Sequence, residues 1–118
     1  MITKEKFKVI YSEDASRFLE RLPFKVRDKI LFNISKSRYI IDPKLFKKLD
    51  NSDIWEFRTK YNTIQYRLLA FWDHDQGVDI LVIVTHAFIK KTQKTPSQEI
   101  NKAIRIKEAY FNSKSKRQ

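Results

Sequence analysis

The sequence predicts an α+β domain, a mainly antiparallel sheet with an N-terminal two-helix hairpin packed on one face and a helix at the C-terminus. Three observations carry this. Between Ser12 and Tyr39 apolar residues recur at helical spacing; between Ile54 and Ala87 they alternate or run unbroken; after Thr95 the helical spacing returns. The chain of 118 residues, 42% hydrophobic and 14% aromatic, can bury a real core as one domain. We place that domain at residues 1–111 and expect residues 112–118 to be a basic, disordered tail.

Phe7 to Tyr11 is rich in β-formers and reads as a strand. Ser12 then offers an N-cap, and Glu13 and Asp14 lie where the helix dipole favours negative charge. Ala15, Phe18, Leu19 and Leu22 form one apolar stripe, which Pro23 ends. A second helix from Phe24 to Tyr39 buries Val26, Ile30 and Ile34, with Leu31 assisting. Leu45 to Leu49 is a short strand, and Asp50-Asn51-Ser52 a turn. From Ile54 to Tyr61, Trp55, Phe57, Thr59 and Tyr61 share one face, while Ile54, Glu56, Arg58 and Lys60 share the other. Beyond a turn at Tyr61-Asn62-Thr63, the strand Ile64 to Trp72 sets Ile64, Tyr66, Leu68, Ala70 and Trp72 opposite Gln65, Arg67, Leu69 and Phe71. Asp73 to Gly77 closes a second hairpin, and Val78 to Ala87 suits a central strand covered on both faces. Thr95 as N-cap, Pro96 at the first helical position and Gln98 three residues on open a last helix that ends near Phe111. Its core face is Ile100, Ala103, Ile104 and Ala109.

Composition narrows the chemistry. With no cysteine there is no disulfide framework and no thiolate zinc site, and two histidines in separate segments are too few for most transition-metal cages. The stretch Asp73 to Asp79 resembles a calcium loop only superficially, because its glycine falls one place early and no glutamate stands at the twelfth position. One glycine in the chain excludes Gly-rich phosphate loops. We therefore expect no metal and no cofactor. No apolar run approaches the ~20 residues that span a bilayer, so a soluble, cytoplasmic protein without a membrane partner is the expectation.

Charge is unevenly placed. The formal net charge is +11, and from Lys90 onward nine basic residues face only Glu99 and Glu108. Such a concentrated positive field favours a polyanion. Arg58 and Arg67 lie on neighbouring strands of a hairpin and can converge on one phosphate, with Lys90, Lys91 and Lys94 arriving from the end of the central strand. Phe88 offers a surface for base stacking. Glu56 pairs with and organises the arginines, and His86 is a further candidate for carrying a proton.

The segments Ile54-Trp55-Glu56-Phe57-Arg58, Tyr66-Arg67-Leu68-Leu69-Ala70-Phe71 and Thr85-His86-Ala87-Phe88-Ile89-Lys90-Lys91-Thr92-Gln93-Lys94-Thr95-Pro96 resemble the RelE/ParE toxin superfamily, most closely its phage-derived HigB-type branch. The resemblance implies a toxin of a type II toxin–antitoxin pair, a metal-independent and ribosome-dependent endoribonuclease acting on mRNA, partnered by a cognate antitoxin that often carries a helix-turn-helix domain. It implies Arg58, Arg67, Lys90 and Lys91 as catalytic residues and Phe88 and Lys94 as RNA-binding ones. The chain departs from RelE itself, which ends in a tyrosine of catalytic type near its last strand; here Phe88 cannot exchange a proton and Tyr110 lies well inside the final helix, where it packs. Within the same superfamily, ParE-type inhibitors of DNA gyrase and non-catalytic RNA-binding or repressor relatives are the alternatives.

Overall fold

The computed structural model describes residues 4–74 and 80–116. The elements follow in the expected order: β1 (Lys8–Tyr11), α1 (Glu13–Glu20), α2 (Phe24–Ser37), β2 (Phe46–Lys48), β3 (Trp55–Tyr61), β4 (Ile64–Asp73), β5 (Leu81–Lys90) and α3 (Ser97–Lys116). The turn expected over Asp73 to Gly77, and with it the calcium-loop comparison, falls largely outside the described residues.

The five strands form one sheet in the order β1-β5-β4-β3-β2. Neighbours joined by hairpins are antiparallel, whereas β1 lies parallel to β5 because α1 and α2 carry the chain from one edge of the sheet to the other. The β3–β4 turn has Asn62 and Thr63 both at positive φ, 47° and 68°, the backbone that a two-residue hairpin requires. Ser12 caps α1 as expected, its Oγ accepting from the Ala15 N–H at 3.0 Å.

The helix pair covers one face. Ala15, Leu19, Val26, Ile30 and Ile34 pack on Phe57, Leu68, Ala70, Val82 and Val84, and Phe46 stacks on Phe57 with ring centroids 4.1 Å apart. Leu31, expected to join them, is exposed, since Ile30 and Ile34 already fill the inward side of that turn. On the other face α3 buries Ala103 and sets Ile100 and Ile104 against Ile54, Leu69, Phe71 and Ile83.

Two expectations for α3 change. Ala109 is exposed, and Tyr110 and Phe111 take its place against Phe71. The helix also continues through Asn112 to Lys116 instead of stopping near Phe111. The buried Asp73 carboxylate accepts from Tyr110 Oη at 2.6 Å and from Lys114 Nζ at 2.8 Å, which fastens an extra turn to the end of β4. Residues 117–118 of the expected tail lie outside the described residues.

Candidate functional site

The charged residues gather at the end of the sheet that α3 leaves open. Register makes the cluster. Arg58 stands directly opposite Arg67, Lys47 opposite Glu56, and Gln65 opposite Lys90. Like charges facing each other across a ladder repel, so the arginine pair needs a counter-charge. Glu56 provides it from the same face, two residues before Arg58. Its carboxylate is buried, and Oε1 lies 3.4 Å from Arg58 Nε and 3.3 Å from Arg67 Nε. Its Oε2 accepts the Thr95 hydroxyl, so the loop entering α3 closes over the carboxylate.

The two arginines are not equivalent. Arg67 is 5% exposed and its other nitrogens donate to the Tyr66 carbonyl at 3.1 Å and to the Gln65 side chain. Arg58 is 28% exposed and donates to the Pro43 carbonyl at 3.2 Å. Burial lowers the Arg67 pKa from its ordinary value; Glu56 opposes that shift and Arg58 adds to it. Beside them opens a cleft of about 380 Å³ whose wall includes Lys47, Glu56, Arg58, Lys90, Lys94 and Thr95. Burial also pushes the Lys90 ammonium below its ordinary range, with Glu56 working against this and Arg67, Arg58 and Lys47 reinforcing it.

A β-bulge brings Lys90 to this face. The pairing passes from Leu69↔His86 to Ala70↔Val84, which leaves Thr85 as the extra residue. Strand parity inverts there: Ile83 before the bulge and Phe88 after it belong to the same apolar cluster under α3, while Val84 and Ala87 belong to the opposite one. The strand then runs three residues beyond the expected end at Ala87, so Lys90 is a strand residue rather than part of the loop after it. Without the bulge Lys90 would have joined the face that α1 and α2 cover.

The remaining candidates are spread around this centre. Phe88 pairs with Arg67 in register, is half-buried and stacks on His86 with centroids 5.9 Å apart. His86 is buried, Nε2 3.1 Å from Glu99 Oε1 and Nδ1 3.0 Å from Thr85 Oγ1, and burial lowers its pKa against the pull of the Glu99 hydrogen bond. It lines a separate hollow with Arg17 and Lys102 and is absent from the wall of the cleft. Lys91 is exposed just past β5 and is also absent from that wall.

Three participants escape the sequence reading. Lys47 could have been found, because counting back from the Asp50-Asn51-Ser52 turn places it opposite Glu56. Gln65 is on the Arg67 face by alternation, as expected, but alternation does not reveal that its side chain accepts from the guanidinium. Thr95 was legible only as a helix cap, yet α3 begins at Ser97, one residue later than that pattern implies, and the Thr95 hydroxyl donates to Glu56. A contact spanning 39 residues has no local signature.

This architecture is that of the RelE-type toxins. A mutant of the Escherichia coli toxin RelE in the free state superposes with a TM-score of 0.58 at 17% sequence identity, covering 85% of this chain and 96% of that one. Residues 17–108 match the family described as "Phage derived protein Gp49-like (DUF891)", and the chain belongs to that family. Membership in this RelE/HigB-type family makes the protein a toxin of the toxin–antitoxin class and implies a cognate antitoxin as its partner. No curated protein matches the chain. Among the described residues no helix is long and apolar enough to cross a membrane.

Proposed function

We propose that this toxin is an endoribonuclease that cleaves mRNA presented by the ribosome, using the substrate's own 2′-OH as nucleophile. The observation that carries the reading is the pair of opposed arginines held by one buried carboxylate at the wall of a cationic cleft. In such a reaction the 2′-oxygen gives up its proton and bonds to the adjacent phosphorus, the P–O5′ bond breaks with the departing 5′-oxygen taking a proton from water, and a 2′,3′-cyclic phosphate and a 5′-hydroxyl remain. The protein has to align the strand, move protons and stabilise charge on the phosphorane; no metal is needed for any of these.

Arg58, the more accessible arginine, contacts a non-bridging oxygen, and Arg67 holds charge and orientation behind it. Lys90 receives the 2′-OH proton, since its lowered pKa eases access to the neutral amine. We prefer it to His86, whose two ring nitrogens are both engaged under α3. Lys94 and Lys91 bind backbone phosphates on the way in, and Phe88 supports a base near Arg67.

The test is induced expression of the wild type beside an Arg58→Ala, Lys90→Ala variant, mapping the 5′ ends of cellular mRNA within minutes. Codon-phased cuts that vanish in the variant, with ribosome co-sedimentation retained, are the expected result. Growth arrest without mRNA cuts, unchanged in the variant, would replace this reading with a gyrase-type inhibitor.

A further inference from the structure

A second cationic hollow, of about 530 Å³, shares Arg58 with the cleft. Lys29 and Lys36 of α2, Lys44 of the α2–β2 loop and Lys60 of β3 stand in its wall together with Arg58 and Arg67. Among the described residues Asp42 is the one carboxylate there, and its Oδ1 is already accepting from the Lys44 N–H at 2.9 Å. Phe32, 63% exposed, stands among these lysines. Lys29, Phe32 and Lys36 recur at spacings of three and four, so they share one side of α2. The floor is fixed, because Asn33 Nδ2 donates to Thr59 Oγ1 at 3.0 Å and ties α2 to β3.

The topology explains how the two hollows communicate. The backbone pairing of this edge ends one residue past the Phe46↔Phe57 pair, where the Arg58 N–H donates to the Leu45 carbonyl at 2.8 Å, and β3 continues through Thr59 to Tyr61 without a strand on that side. Around this open edge Arg58, from the α3 side of the sheet, meets lysines carried by the helix on the opposite side. A cationic track with an exposed aromatic ring suits single-stranded nucleic acid, whose phosphates pair with lysines while bases stack on any π-face.

From this we infer that the hollow between α2 and the open edge of β3 is a second RNA-binding subsite, which holds the strand after it passes Arg58 and takes backbone phosphates on Lys29, Lys36 and Lys60 and a base on Phe32. The inference rests on the reading of the cleft as an RNA site and extends it by naming the path.

Fluorescence anisotropy with a labelled 12-nucleotide single-stranded RNA and a 3-nucleotide RNA tests it, over a salt series, on the full chain. Lys29→Ala with Lys36→Ala changes two exposed helix positions and leaves the fold intact, as circular dichroism checks. It should weaken the 12-mer by about tenfold and flatten its log–log salt slope by about 1.4, while leaving the 3-mer unchanged. Phe32→Leu should weaken the 12-mer without altering the slope. If the lysine variant binds the 12-mer as tightly as wild type while Arg58→Ala with Lys90→Ala does not, the second subsite is wrong and the cleft reading stands. If the wild type binds neither RNA at any salt, the subsite is wrong, while the cleft reading is decided separately by the mapping of mRNA 5′ ends. A 12-residue polyglutamate that binds as tightly as the 12-mer and is lost with the same two lysines would overturn the subsite in favour of an acidic protein segment.

Discussion

The two faces of the sheet share strands β3 to β5 and differ in how far a helical layer reaches. On one face α1 and α2 extend across the strands, and the positions beneath them are mainly apolar, with Thr59 hydrogen-bonded to Asn33. On the other, α3 packs on Ile54, Leu69, Phe71, Ile83 and Phe88, and in the row that runs on from Phe88 to Arg67 and Arg58 the two arginines pair with Glu56 instead. The comparison shows how one alternating sequence makes both a core and a site. Where the helix ends, inward-facing positions are released from apolar packing, and a buried carboxylate with two cations can take over its organising role. That exchange is costly in itself, since an ion trio out of water needs every partner in place.

The comparison breaks most visibly if large truncations behave alike on both faces. Phe57→Ala, deep under α2, should destabilise the protein by about 4 kcal/mol in urea unfolding, whereas its sequence neighbour Arg58→Ala should cost less than about 1 kcal/mol and act on cleavage instead. Next in size, Glu56→Gln keeps the volume but removes the counter-charge from two facing arginines. It should lower stability by about 3 kcal/mol, with most of the loss recovered when Arg67→Met is added in a double-mutant cycle. A smaller effect of opposite sign is expected at the hairpin that aligns the arginines. Thr63 is β-branched and sits at φ 68°, so Thr63→Gly should stabilise by about 1 kcal/mol and leave the Arg58↔Arg67 register unchanged.

The smallest effect concerns the hinge between the two regimes, where His86 is buried below the first turn of α3. Its depressed pKa, caused mainly by burial, means that the unfolded chain takes up a proton before the folded one as pH falls below about 6.5. Stability attributable to neutral His86 is therefore full above that pH and declines on acidification toward the folded-state pKa. Glu99 faces the ring and limits the effect, as does Asp14, while Lys102 adds to it. Thermal melts should show a loss between pH 7.5 and pH 5 that is reduced in His86→Gln, a difference on the order of a few °C.

Much of this was legible from residue spacing. Alternation in Ile54 to Trp72 separates Phe57 and Leu68 from Arg58 and Arg67, and the hairpin turn at Asn62-Thr63 sets the two arginines opposite each other. The stripes of α1 and α2 follow from helical period, apart from Leu31. What spacing could not reveal was the bulge at Thr85, because a single extra residue in a continuously apolar run leaves no trace, yet it decides which face Lys90 joins. The extension of α3 was hidden for a related reason. The segment after Phe111 is polar, and the buried Asp73 that accepts from Tyr110 and Lys114 is brought close by the sheet from 37 and 41 residues away. Thr95 illustrates a third limit, as a residue with good local capping credentials was drawn to a distant carboxylate with greater need of a donor.

The central claim is that the open end of the sheet is a phosphate site working through the 2′-OH of its substrate. The most direct measurement is the chemistry of the RNA ends made on purified ribosomes by the wild type and by Arg58→Ala. The account predicts 5′-hydroxyl and 2′,3′-cyclic phosphate termini from the wild type, with the rate reduced at least about a hundredfold in the variant while stability stays within about 1 kcal/mol. Fragments bearing 5′-phosphates, or a cleavage rate indifferent to Arg58, would contradict it.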